Sequence, residues 1–256
     1  MDALRFRTLS FEVYHSVVSS TSLLGVRLDS VTRQEALSRI RAMLGSGGRH
    51  HVLTPNSEML VEAHRNPRFK AVLNATALNI PDSQGVVWLA GLPERVTGVD
   101  TVTALCEDLS GEHPVFLLGA GEGIAERAAT VLKERNPRLN VVGTYAGSPR
   151  ADDAAAIVSR INDAKPHLLL VAYGSPLQDL WIAEHLEKLL TVRVAMGVGG
   201  TFDFVAGAAK RAPKVFQTLG IEWLWRLMLE PKRWKRIFTA VVVFPWLVIK
   251  ERRAKA

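Results

Sequence analysis

The chain has 256 residues, 48% apolar and 22% charged, a balance that excludes a disordered chain and allows one substantial core. Its single cysteine, Cys106, excludes an internal disulfide and reads as a buried helical thiol. The formal net charge of +7 is unevenly spread: residues 210–256 hold twelve Lys or Arg against three Glu, and the remainder is slightly acidic.

Residues 1–24 read as a poorly ordered leader, without the apolar centre of a secretory signal. An α/β unit is expected over 25–209, opening with a short strand at Gly25 to Val31 and a helix from Thr32 to Leu44. His51 to Leu53 reads as a strand running into Thr54-Pro55-Asn56, after which Ser57 caps a helix to His64 and a second helix follows Pro67. Ala77 to Ile80 reads as a strand ending at Pro81-Asp82, with helices at Gly85 to Ala90 and from a cap at Asp100 to Leu109. Val115 to Leu118 is the next strand, and Gly119-Ala120-Gly121-Glu122-Gly123 opens a helix to Glu134. Three more strands, Asn140 to Tyr145, Leu168 to Tyr173 and Val192 to Val198, alternate with helices at Ala151 to Ala164 and from Gly174-Ser175-Pro176 to Leu190.

This alternation implies a Rossmann-like, mainly parallel sheet with helices on both faces. Runs such as Leu168-Leu169-Leu170-Val171-Ala172 suit strands covered on both sides. Residues 210–256 form a basic, Trp-rich helical appendage in which Glu230-Pro231 separates two helices. No run reaches the ~20 apolar residues needed to cross a bilayer, since Pro245 interrupts the longest, Ile237 to Ile249. The expected location is therefore cytoplasmic. The appendage suits contact with an anionic membrane surface, or an apolar helix docked on the core with a solvated basic face. Self-association as a homo-oligomer stays open, and nucleic acid is not expected as a partner.

In an open parallel sheet, ligands sit beyond the carboxyl ends of the strands. Those ends carry Thr54 and Asn56, Asp82, Gly119 and Gly121, Gly143 and Tyr145, Gly174 and Gln178, and Gly199 followed by Asp203. The Gly119 loop precedes a helix and can hold a phosphate, but Ile124 stands where the dinucleotide fingerprint requires Gly or Ala. Asp82 is a candidate general base; on pattern alone a cap for the helix beginning at Ser83 is the simpler reading. Histidine spacing and the lack of an Asp-x-Asp element give no support for a metal.

Taken together, the motifs resemble the WecG/TagA/CpsF glycosyltransferases (glycosyltransferase family 26). The matching stretches are Thr54-Pro-Asn-Ser-Glu-Met59, Pro81-Asp82-x-x-Gly85 and Glu94-Arg-Val-Thr-Gly98-x-Asp100. Further on come Gly174-x-Pro176-x-Gln178, Gly197-Val-Gly-Gly-Thr-Phe-Asp203, Lys210-Arg-Ala-Pro213, Gly220-x-Glu222-Trp-Leu-x-Arg226 and Glu230-Pro-x-Arg233-x-x-Arg236. The resemblance implies a GT-E-like fold with a membrane-associating appendage. It also implies inverting, metal-independent transfer of an N-acetylmannosamine-type sugar, or another hexose, from a UDP-sugar to an undecaprenyl-diphosphate-linked acceptor at the inner face of the cell membrane. No cofactor beyond the donor is implied. Asp82 becomes the base, and Thr54, Asn56 and Gln178 line the substrate site. Asp203 and the glycine segments lie near the nucleotide, and Arg226, Arg233 and Arg236 offset charge on the leaving diphosphate. Ser83 and Asp179 depart from the family's usual Gly and Glu. A nicotinamide-dependent oxidoreductase and a non-catalytic membrane adaptor are the competing readings.

Overall fold

The computed structural model describes residues 19–218 and 220–255. It opens with a hairpin, β1 (Ser20–Leu23) and β2 (Val26–Asp29), paired antiparallel through a tight turn in which Leu24 and Gly25 both have positive φ. The hairpin thus begins inside the segment read as leader; residues 1–18 of that segment lie outside the described residues. Helix α1 (Arg33–Gly45) follows, closed by a capping box between Thr32 and Glu35.

From there the chain alternates. The order is β3 (His50–Leu53), α2 (Ser57–Arg65), α3 (Pro67–Ala75), β4 (Leu78–Asn79), α4 (Gln84–Ala90), α5 (Gly98–Asp108), β5 (Val115–Gly119) and α6 (Ile124–Arg135). Then come β6 (Val141–Tyr145), α7 (Ala151–Ala164), β7 (Leu168–Ala172), α8 (Leu177–His185), β8 (Val194–Gly197) and α9 (Thr201–Val205). Strands β3 to β8 form one six-stranded sheet in the order β4-β3-β8-β7-β5-β6, with every neighbour parallel.

Successive strand residues point to opposite faces, and both faces are apolar. Leu117, Leu170 and Met196 join α1, α5 and α6 on one side, while Phe116, Leu118, Leu169 and Ala195 join α7 and α8 on the other. A third cluster sits outside β3 and gathers α2, α3 and α4.

Three helix caps differ from the expectations. Asn56, not Ser57, caps α2 by accepting from the Met59 N–H at 3.0 Å. Ser83, not Asp82, caps α4, and Thr97, not Asp100, caps α5. The second difference frees the Asp82 carboxylate from a capping duty at α4.

The appendage contains α10 (Lys214–Thr218), α11 (Glu222–Leu229) and α12 (Trp234–Phe238), continued by a π-helical segment (Thr239–Val243) into α13 (Phe244–Lys255). Helix α13 docks on the core. Phe244 and Val248, one turn apart, are both 0% exposed and pack into the cluster of Leu60, Val61, Val86 and Val87. Glu251 accepts from the Leu24 N–H at 3.1 Å, and Arg252 donates to the Leu89 carbonyl. The opposite face leaves Trp246 and Ile249 exposed. No helix among the described residues is long and apolar enough to cross a membrane.

Candidate active site

The carboxyl ends of β4, β3, β8 and β7 open onto a cleft of about 370 Å³, closed on its far side by residues of α11 and α12. The chain builds β3 and β4 toward one edge of the sheet and β5 and β6 toward the other. The cleft lies where that direction reverses, the place a ligand crevice forms in an open α/β sheet.

Asp82 stands at the β4 end. Its N–H donates to the Pro55 carbonyl at 3.0 Å, and the Pro81 carbonyl accepts from Val96 at 2.9 Å, so backbone bonds fix the residue between neighbouring loops. Its Oδ2 accepts from the Gly98 N–H at 3.2 Å, at the start of α5. Gly98 permits this approach, since a Cβ there would lie 3.0 Å from Thr54 Oγ1 and 3.5 Å from Asp82 Oδ2. Burial pushes the Asp82 pKa up from its ordinary value to about 7. The Gly98 bond and the Arg95 guanidinium oppose that rise, while the Glu222 and Asp100 carboxylates add to it. A carboxyl tuned near neutrality can take a proton from a hydroxyl without being permanently ionised.

Thr54 is buried beside Asp82 and lines the same cleft. Asn56 spends its Oδ1 on the α2 cap, and its Nδ2 has no partner among the described residues. Gln178 is nearly enclosed. Its Oε1 accepts from Gly174 N–H at 3.1 Å and Gly199 N–H at 3.0 Å, which ties the β7 and β8 loops together under the cleft.

Three arginines enter from the appendage. Arg226 is half-buried, with its guanidinium 4.7 Å from the centre of the Phe204 ring. Burial, with Arg233 and Arg236 nearby, lowers the Arg226 pKa from its ordinary value, a sign of crowded positive charge. Arg233 pairs with Glu230, and Arg236 pairs with Glu58 at 2.6 Å. Two more pairs bind the appendage to the sheet domain: Arg95 with Glu222 at 3.2 Å, and Arg211 with both carboxylate oxygens of Asp100 at 2.6 and 2.7 Å. The arrangement offers a proton acceptor on one wall and concentrated guanidinium charge on the other, as transfer from a diphosphate leaving group requires.

The family described as "Glycosyl transferase WecG/TagA/CpsF family" matches residues 21–256. The chain belongs to that family. It is a glycosyltransferase family enzyme of the hexosyltransferase kind. One relative, from Bacillus spizizenii (strain ATCC 23059 / NRRL B-14472 / W23), is 32% identical over 211 residues, covering 80% of this chain and 80% of the relative. A second, from Staphylococcus aureus (strain MRSA252), is 29% identical over 248 residues, covering 93% and 95%. Both are named N-acetylglucosaminyldiphosphoundecaprenol N-acetyl-beta-D-mannosaminyltransferase.

In this glycosyltransferase the cleft brings together Asp82, Thr54, Asn56, Gln178, Gly174, Gly199, Arg226, Arg233 and Arg236. It does not bring in Gly119, Gly121, Gly143, Tyr145 or Asp203. Two of those glycines answer to packing. A Cβ on Gly119, whose φ is +100°, would lie 2.7 Å from the Ala172 carbonyl carbon, and one on Gly143 would lie 2.4 Å from the Phe116 ring. Tyr145 lies beneath the Arg160 guanidinium at 4.3 Å, and Asp203 sits in α9 beside Gly200. Sequence reasoning gave no role to Glu58, Arg95, Arg211 or Glu222, which hold the appendage in place. All four fall inside the quoted motifs, and their opposite charges in separate stretches were the available signal. No group of three or more His, Cys, Asp or Glu among the described residues is placed to hold a metal ion.

Proposed function

We propose that this enzyme transfers an N-acetylmannosamine-type sugar, or another hexose, from a UDP-sugar to an undecaprenyl-diphosphate-linked acceptor sugar, with inversion. The products then serve cell-envelope polysaccharide synthesis. The reading is carried by one juxtaposition: the Asp82 carboxyl, tuned to about 7, shares a cleft with Arg226, Arg233 and Arg236. The names and coverage of the two relatives support the choice of substrates. Asp82 accepts the proton from the acceptor hydroxyl as that oxygen attacks the anomeric carbon. The bond from that carbon to the UDP oxygen breaks on the opposite side, and the arginines offset the charge left on the diphosphate. Guanidinium groups perform this neutralisation without a divalent ion.

The acceptor carries a lipid. Trp234, Phe238, Trp246 and Ile249 are exposed on the appendage among Lys235, Lys250, Arg252 and Arg253, a composition suited to an anionic bilayer surface on the cytoplasmic side. The nicotinamide alternative drew on the Gly119 loop, which lies outside the cleft. The test is a thermal-shift and transfer assay on the full chain. UDP raises the melting temperature and NADH does not, and UDP is released from UDP-N-acetylmannosamine only when lipid-diphosphate-linked N-acetylglucosamine is supplied. Stabilisation by NADH without stabilisation by UDP sinks the reading.

A further inference from the structure

Two polyanions, a donor diphosphate and an acceptor diphosphate, meet in the reaction proposed above. Outside the cleft runs a second groove of about 270 Å³, between α2 and the start of the long C-terminal helix. Asn56, Glu58, Met59, Ser175 and Arg236 line both cavities, so the wall between them is thin. The Glu58–Arg236 pair, at 2.6 Å, is part of that wall.

Within the groove Glu58 is neutralised by Arg236. Arg65 and Lys235 also line it, and neither makes an ion pair among the described residues. Against them stands Glu62, which accepts from the Asn66 amide at 3.2 Å. The groove therefore keeps a surplus of positive charge. Trp234 and Phe238 flank Lys235 along the chain and are 57% and 51% exposed, so apolar surface begins beside the uncompensated cations.

We infer that this groove is the diphosphate subsite of the lipid-linked acceptor, with Arg65 and Lys235 as its cations. The inference rests on the transferase reading above. The acceptor sugar passes the Glu58–Arg236 wall into the cleft toward Asp82. Its diphosphate stays outside on Arg65 and Lys235, and its lipid leaves over Trp234 and Phe238. Separate sets of cations keep donor and acceptor diphosphates from competing for the same arginines.

The test uses the full chain carrying Arg65→Ala and Lys235→Ala together, assayed in neutral detergent micelles. Two acceptors of the same sugar are compared, one prenyl-diphosphate-linked and one a neutral alkyl glycoside. The ratio of kcat/KM for the diphosphate acceptor to that for the alkyl glycoside is expected to fall about tenfold or more, the effect of losing one or two charge-assisted phosphate contacts. An unchanged ratio, with both acceptors still used, overturns the subsite and leaves the transferase reading intact. An unchanged ratio together with weakened binding to phosphatidylglycerol vesicles assigns the two cations to lipid headgroups instead, which also overturns it. If the unmodified enzyme uses neither acceptor, the transferase reading falls and takes the subsite with it.

Discussion

Asp82→Asn separates what the carboxyl does for chemistry from what it does to stability. The side chain keeps its shape, and its carbonyl oxygen can still accept from Gly98 N–H. In the folded protein the Asp82 pKa is raised to about 7, against an ordinary value of 3.8. As pH climbs through that window the unfolded chain releases the proton first, so folding stability falls with rising pH and levels off above the folded value. The full shift corresponds to a ceiling of about 4 kcal/mol. Asp82 is only partly buried, and water in the open cleft screens it, leaving a gain of about 1–3 kcal/mol for Asp82→Asn at pH 8. For a chain of this size that is a rise of roughly 3–10 °C in melting temperature. The gain should shrink toward zero as the buffer approaches pH 4, where the carboxyl is neutral in both states. Transfer should be lost at every pH, with UDP binding retained. Melting curves at several pH values, beside a radiolabelled transfer assay, decide the matter. A variant that melts at or below the unmodified enzyme at pH 8, or that transfers at its rate, refutes the argument.

Asp179 adds a second acid in the same pH window. Its carboxylate is fully buried, and burial, only partly opposed by Ser175 and Gln178, pushes its pKa to about 7, so Asp179→Asn should also raise the melting temperature above pH 7 without needing to change transfer. Phe244→Ala removes a fully buried ring where α13 meets α2 and α4, and a loss of about 3–5 kcal/mol is expected in denaturant melts. Gly119→Ala forces a Cβ against the Ala172 backbone at a positive φ, and a stability loss of at least about 1–3 kcal/mol should appear in the same assay. Arg226→Lys keeps the charge but loses the planar contact with Phe204, so kcat should drop about tenfold or more while the fold, read by circular dichroism, is kept.

The strand order could not be read from the chain, but the strands themselves could. Continuous apolar runs such as Leu168 to Ala172 announce a sheet covered on both faces, and the sheet is covered by two separate clusters. Caps were legible only to within a few residues. Runs such as Thr54-Pro55-Asn56-Ser57 and Thr97-Gly98-Val99-Asp100 hold several residues able to cap, and the choice depends on where the backbone turns. Glycines misled for a related reason. Gly119 looks like a phosphate-loop residue and Gly143 like a strand-end ligand residue along the chain, yet Gly119 makes room for the Ala172 backbone and Gly143 for the Phe116 ring. An appendage helix docked on the core was one of two readings open for the tail, but Phe244 and Val248 sit in a run of apolar residues that gives no sign of which ones face α2. Asp82 and the three arginines stand in ordered, chemically distinctive motifs, and the fold brings them to one cleft. Three of the pairs that hold the appendage, Arg95–Glu222, Arg211–Asp100 and Arg236–Glu58, join stretches more than a hundred residues apart.

One feature of the cleft reaches into biosynthesis. The sheet that carries Asp82 is complete by Gly197, but Arg226, Arg233 and Arg236 come from residues translated afterwards. On the ribosome the wall that carries Asp82 is therefore synthesised before the wall that carries the three arginines. Phe244 and Val248, which complete the cluster around α2 and α4, are translated later still, so a chain ending before Glu222 lacks both the arginine wall and part of its core.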